Sequence, residues 1–501
     1  MADQTDLEKL AKGYLDLWQE HLSGTAQDKN TTEIMAKTLA MMNTGAATFA
    51  NAMSSATKSA EASDGSQKKM PQKAPPPKHP LHPLGPRPLP FHLNSQFISW
   101  FSCLSALPHW KNGSLNLSKT SPQNTPAGSE KENELRDLAH QFDDAAIYQA
   151  LLDELNLRIA QFTRGIEAYK KHPRTHRPPE PHVLKQIGAA RLLDYGINEE
   201  GQSRHPVLLI PSLINRAYIL DLTEDRSLVR HMATQGLRPI LVDWGHPSEA
   251  EQNFNLESYI TGPLQVFFDI ACQLSDTKPS VLGYCMGGLL ALAIANNNPN
   301  KSASLSLLAT PWDFHSGIGA HLLYLTTLRP SLELILSTIG NLPVDILQVL
   351  FASLDPSLTS TKFRNFSGME PSSPRAQHFV TLEDWLNDGV PLVANVAKEC
   401  LFDWYLENNP AKGEWIVAGQ SIDPHSITCP SITIIPEHDH IVPPVSAKAL
   451  AKLLPENKMH LIKAGHISMM TGSHAKVELY EPLAKWIKLQ TMYIEQSSDT
   501  A

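Results

Sequence analysis

The 501-residue sequence predicts an α/β fold: a mostly parallel sheet wrapped by helices, interrupted by a helical insertion and preceded by a helical, partly disordered N-terminal extension. Two observations predict it. Short runs that are apolar on both faces recur between helical segments from about residue 186 onward, as strands covered by helices on either side require. One of these runs, Ser280–Tyr284, passes through a Gly-flanked turn straight into the Ala/Leu-rich segment that begins at Met286.

Composition narrows the function. The net charge is -9 and no basic stripe occurs, which argues against a nucleic-acid partner. The longest apolar stretch, residues 281–295, is interrupted by Gly and Cys and is shorter than the ~20 residues of a membrane span. The N-terminus is acidic and lacks an apolar signal core, so a cytoplasmic location is expected. The 5 cysteines (Cys103, Cys272, Cys285, Cys400, Cys429) are scattered and form no C-x-x-C, which suits free thiols and not a zinc site.

In chain order, residues 1–56 read as an amphipathic helical segment. Leu7, Leu10, Tyr14, Leu17 and Trp18 lie at helical spacing over 5–22, and Met35, Leu39 and Met42 over 30–56. Their apolar faces suit either the main body of the protein or an external partner, membrane or lipid-like granule surface. Residues 57–131 read as a Pro/Ser/Lys-rich linker, with one or two helical turns in an apolar island at 97–110 and a polar loop over 112–130. Residues 132–185 read as a helical lead-in, a single long helix to 171 ended by His172-Pro173. The α/β body spans 186–490. Its strand candidates are Ala190–Gly196, Val207–Ile210, Arg238–Val242, Ser280–Tyr284, Ser304–Leu308, Ser431–Ile435 and Met459–Lys463. The stretch 315–406 lacks a comparable strand and reads as a helical cap over the C-terminal edge of the sheet.

The segment Gly283-Tyr284-Cys285-Met286-Gly287 has the form of the G-x-nucleophile-x-G elbow of an α/β hydrolase, with Cys where Ser is usual. Gly283 and Gly287 allow strand and helix backbones to approach closely, and the N–H of Met286 at the helix start can stabilise an oxyanion. The plainer alternative is a buried Cys filling a strand end. A thiol nucleophile needs a base, and the base needs an orienting acid, in the chain order nucleophile, acid, His. Asp439 follows the strand candidate Ser431–Ile435, and His466 follows the last strand behind Gly465. His438 or His440 as base, and Asp313 as acid, are the alternatives. The second oxyanion donor is expected from the backbone near Leu213, in the loop Pro211–Arg216, which could equally be a plain connector. His440 and Trp312 are candidates for the shell around the three residues.

Several segments together resemble the polyhydroxyalkanoate (poly-3-hydroxybutyrate) synthases of the α/β-hydrolase superfamily. Pro211-Ser212-Leu213-Ile214-Asn215-Arg216-Ala217-Tyr218-Ile219-Leu220-Asp221-Leu222 and Ser227-Leu228-Val229-Arg230-His231 resemble their entry loop and helix. Leu282-Gly283-Tyr284-Cys285-Met286-Gly287-Gly288 resembles their modified lipase box. Asp439-His440-Ile441-Val442-Pro443 and Gly465-His466-Ile467 resemble their Asp and His motifs. The resemblance covers about residues 186–488. It implies an acyltransferase in which Cys285 carries the growing acyl chain, His466 deprotonates it and Asp439 supports transfer. The substrates implied are 3-hydroxyacyl-CoA and a growing polyester, with no cofactor, and the family also implies homodimers and association with polymer granules.

The choice of sulfur has its own logic. Passing an acyl group from a thioester donor to Cys285 exchanges one thioester for another and keeps it activated, whereas Ser would give a lower-energy oxoester. Thiolate is also the better nucleophile near neutral pH, especially beside an imidazole and a helix N-terminus. The competing expectations are a Cys-dependent thioesterase or depolymerase, if water reaches the acyl-enzyme, and a non-enzymatic granule scaffold.

Overall fold

The computed structural model describes residues 3–25, 85–119, 125–175, 177–196, 204–317 and 319–498. The amphipathic segment expected at 30–56 lies outside the described residues, as does the Pro-rich stretch 57–84.

Among the described residues, four helices precede the sheet: α1 (Gln4–Thr25), α2 (Leu89–Lys111), α3 (Pro126–Ala139) and α4 (Asp144–Lys171). The helical period of α1 buries Leu7, Leu10, Tyr14, Leu17 and Trp18 in one cluster with Leu107 and Trp110 of α2, Leu135 of α3 and Leu151 of α4. The Tyr14 hydroxyl donates to the Cys103 carbonyl at 2.8 Å inside this cluster. The apolar face of α1 is therefore consumed by its own bundle, and it reaches neither the sheet nor solvent.

Three boundaries differ from the sequence expectation. The island at 97–110 is part of a 23-residue helix, because Pro88–Pro90 open a helix where a linker was expected. The polar stretch 112–130 already contains the start of α3, which Thr125 caps by accepting the Gly128 N–H while Pro126 takes the first helical position. The single helix expected over 132–171 is split, because Asp143 accepts the Ala146 N–H at 2.8 Å and so caps a new helix there.

The sheet has 8 strands: β1 (His182–Ile187), β2 (Ala190–Asp194), β3 (Pro206–Ile210), β4 (Arg238–Asp243), β5 (Ser280–Tyr284), β6 (Ser304–Leu308), β7 (Ser431–Pro436) and β8 (Asn457–Ile462). Their spatial order is β1-β2-β4-β3-β5-β6-β7-β8; the first two pairings are antiparallel and all the others parallel. Strands β3, β5 and β6 are buried along their whole length, which explains their unbroken apolar sequence. Strand β1 has a largely exposed, polar pattern (His182, Lys185 and Gln186), so no hydrophobic alternation announced it.

Helices α5 (Leu228–Thr234), α6 (Gln265–Gln273) and α7 (Met286–Asn297) follow β3, β4 and β5. Helix α7 is buried from Met286 to Ala295, packed behind the centre of the sheet. Between β6 and β7 the cap comprises α8 (Gly319–Ile339), α9 (Val344–Ala352), α10 (Leu358–Ser367) and α11 (Pro374–Asn387), then a helical tail over Ala394–Leu406 whose second part, Glu399–Leu406, is π-helical. Helices α12 (Pro444–Leu453) and α13 (Glu481–Ser498) complete the body after β7 and β8.

Candidate active site

Cys285 sits at the turn between β5 and α7 with φ +56° and ψ −127°, outside the regions that non-glycine residues favour. Its N–H donates to the Leu308 carbonyl of β6 at 2.8 Å, and its own carbonyl accepts from Gly288 at 2.9 Å, so the turn is held from both sides. The flanking glycines are sterically required. A Cβ on Gly283 would lie 2.4 Å from the Gly287 carbonyl oxygen, and one on Gly287 would lie 2.1 Å from the Ile210 carbonyl oxygen. Gly288 is equally constrained, since its Cβ would meet Thr310 Oγ1 at 1.9 Å. The sequence placed Gly288 in the elbow segment but gave no sign that Thr310 is the residue it must clear.

Two other strand ends deliver the remaining groups. After β7, Asp439 is 5% exposed, and after β8, His466 is 8% exposed. His466 Nδ1 lies 2.7 Å from Asp439 Oδ2. Asp439 Oδ1 accepts the N–H groups of Ile441 and Val442, each at 2.8 Å, so the carboxylate is fixed by its own turn and has one oxygen left for the imidazole. Tyr284, the residue before Cys285, donates its hydroxyl to the His466 carbonyl at 2.9 Å, which brings this strand end against the imidazole's loop. Burial opposes a charge on this imidazole, but the Cys285 and Asp439 charges and hydrogen bonds outweigh it and hold the pKa up at about 10.

The entry loop reaches the same place. A Cβ on Gly287 would strike Ile210 and Pro211, so the first turn of α7 lies directly against the start of that loop. The Trp244 indole donates to the Pro211 carbonyl at 3.0 Å, Val390 donates to the Ile214 carbonyl at 3.3 Å, and the Trp385 indole donates to the Arg216 carbonyl at 2.8 Å. Body and cap together thus hold this loop. Leu213 is buried and borders a recess lined also by Trp244, Tyr259, Val390 and Val393. Met286 opens α7, so its N–H belongs to the first turn, which has no intrahelical acceptor.

Other candidates are placed elsewhere. His438 and His440 are exposed in the turn around Asp439. Trp312 is a core residue whose N–H donates to Ser446 Oγ at 3.1 Å. Among the described residues, no hydrogen bond joins His440 or Trp312 to Cys285, Asp439 or His466. Asp313 accepts from Asn408 Nδ2 at 2.9 Å and Ser316 Oγ at 2.5 Å, and its partners are cap residues and its own turn, not His466. Conversely, the tail of the cap brings Cys400 and Tyr405 into the electrostatic field of Cys285. Burial pushes both far above their usual range, and the Cys285 charge adds to it. Their distance in sequence from every motif hid them.

A Gly-flanked Cys turn at one strand end and an Asp–His pair on two later ones have the layout of an α/β hydrolase, and the family model for the alpha/beta hydrolase fold matches residues 205–473. The poly(3-hydroxyalkanoate) polymerase subunit PhaC of Haloferax mediterranei is 32% identical over 315 residues, covering 62% of this chain and 64% of that protein. The subunit of the same name from Synechocystis sp. is 32% identical over 298 residues, covering 56% of this chain and 77% of the relative. That of Allochromatium vinosum is 30% identical over 286 residues, covering 56% and 80%. The chain belongs to the PhaC family of poly(3-hydroxyalkanoate) polymerases within the alpha/beta hydrolase fold.

Proposed function

We propose that this protein is an acyltransferase that polymerises 3-hydroxyacyl-CoA to polyester through an acyl group carried on Cys285, with release of CoA. What carries the reading is a Cys at the elbow whose strand end meets a hydrogen-bonded Asp439–His466 pair, in a chain of the PhaC family. The Cys285 thiolate attacks the thioester carbonyl, and the developing oxyanion is met by the Met286 N–H and a backbone N–H near Leu213. The bond to the CoA sulfur then breaks, and His466 supplies the proton that lets CoA leave as a thiol. In the second half, a 3-hydroxyl group attacks the Cys285 thioester and gives its proton to His466. An ester forms, and Cys285 is released as thiolate.

Asp439 holds the Nδ1–H of His466 and so keeps Nε2 toward the sulfur. The raised pKa of the imidazole suits a group that holds a proton for the departing CoA sulfur. No cofactor enters this scheme. Homodimers and granule attachment belong to the same reading and are tested by sedimentation with and without polymer.

The test is incubation with labelled 3-hydroxybutyryl-CoA, peptide mapping of the labelled thiol, and sizing of the product. Label on the Cys285 peptide together with insoluble polyester is expected. Free 3-hydroxybutyrate as the sole product would replace synthesis by hydrolysis, and label absent from Cys285 would remove the nucleophile.

A further inference from the structure

We propose that Tyr284 is a positioning residue for His466, clamping the base from the same strand end that presents the nucleophile; this rests on the Cys285–His466–Asp439 reading above. Two independent contacts carry it. The Tyr284 hydroxyl donates to the backbone carbonyl of His466 at 2.9 Å. The two rings also stack, with centroids 5.2 Å apart and planes inclined by 28°. Tyr284 is 4% exposed, so both contacts lie in a dry site where the carbonyl has no water to replace a lost donor.

The local backbone explains how one dipeptide does both jobs. Along a regular strand, successive side chains point to opposite faces, so Tyr284 and Cys285 would serve different sides of the sheet. The positive φ at Cys285 breaks that alternation directly after Tyr284, whose ring stacks on the imidazole. His466 itself lies in the loop after β8, which has no strand hydrogen bonds of its own at that residue. Asp439 fixes one ring nitrogen, Tyr284 fixes the peptide and one ring face, and Nε2 is left toward the sulfur. The aromatic face also favours the imidazolium form, as a π-face does for any cation lying over it.

The experiment compares Tyr284→Phe, which keeps the ring and loses the hydroxyl, with Tyr284→Leu, which loses both, in the full chain. CoA release from 3-hydroxybutyryl-CoA gives kcat and KM, and iodoacetamide labelling of the Cys285 peptide across pH gives the thiolate midpoint. The expected result is a kcat loss of about 3–10-fold for Phe and about 30–100-fold for Leu, with KM nearly unchanged. The labelling midpoint should rise by about one pH unit in Leu and be largely restored in Phe. Wild-type kcat and labelling midpoint in both variants overturn the proposal. Should Leu fail to fold by circular dichroism, Phe decides alone, and an unchanged kcat there overturns it. Cys285→Ala and His466→Asn run alongside. Activity surviving in those two would sink the underlying triad reading, whereas their loss beside fully active Tyr284 variants sinks only the role of Tyr284.

Discussion

Asp439 shows how little freedom the site leaves a single residue. Two backbone N–H groups occupy Oδ1 and the imidazole occupies Oδ2, so a buried carboxylate is satisfied in one orientation only. Replacing it with Asn keeps the shape but allows an amide nitrogen to face Nδ1, which selects the wrong imidazole tautomer. Asp439→Asn should therefore lower CoA release by roughly 10²–10⁴-fold while the circular dichroism spectrum stays as in the wild type. Release within fivefold of wild type would remove Asp439 from the mechanism. That this Asp and not Asp313 serves His466 was readable from its position after a late strand. The engagement of Asp313 with Asn408, nearly a hundred residues away in sequence, was not.

At the scale of the element, the tail of the cap is pinned to the body by a carboxylate under strain. Glu399 accepts the Leu256 N–H at 2.7 Å, and Asn395 donates to the Asn253 carbonyl at 3.1 Å. Burial raises the Glu399 pKa to about 7, and the neighbouring charges of Asp403 and Glu257 push the same way, opposed by the Leu256 hydrogen bond. Because the folded value lies above the unfolded one, the folded state holds a proton that the unfolded state has lost between about pH 4.5 and 7. Stability at this site is therefore full below pH 4.5 and falls as pH rises through 7. Glu399→Gln keeps an acceptor for Leu256 and removes the charge. It should raise thermal stability at pH 8 by on the order of 2 kcal/mol and leave it unchanged near pH 4.5. A variant less stable than wild type at pH 8 would show that the charged form is the one the cap needs.

For the whole molecule, the N-terminal helices brace the cap. Phe162, Ile166 and Tyr169 of α4 form one cluster with Phe363 and Phe366 of α10 and Val380 of α11. Gly165 makes this contact close, since a Cβ there would lie 2.0 Å from the Phe363 carbonyl oxygen. Polar links run alongside: the Tyr169 hydroxyl donates to Asp384 at 2.6 Å, Arg174 bridges Asp384 at 3.0 Å, and Arg87 bridges Asp345 at 2.7 Å. Gly165→Ala should push α4 off α10 and cost about 1–3 kcal/mol, as inserting an atom into a packed interface does. Differential scanning calorimetry together with limited proteolysis of the cap measures it. An unchanged melt and an unchanged digestion pattern would mean that the bundle does not support the cap.

The sequence by itself determined the sheet's strands from β2 onward and the three strand ends, because buried parallel strands are apolar throughout and an elbow of this form demands glycines at fixed spacing. The polar edge strand β1 left no such mark. The sequence also carries Cys285, Asp439 and His466 in the chain order that the proposed site requires. Only the tertiary structure decided where the apolar face of α1 is spent, how 126–171 divides into two helices, and that the lead-in helices rest on the cap. It alone placed Tyr284 against the imidazole and gathered Cys400, Tyr405 and Cys285 around one core cluster. The physical reason is range. Periodicity, caps and turn glycines act over a few residues and are written in them, whereas packing partners are chosen by shape and burial among segments far apart in the chain.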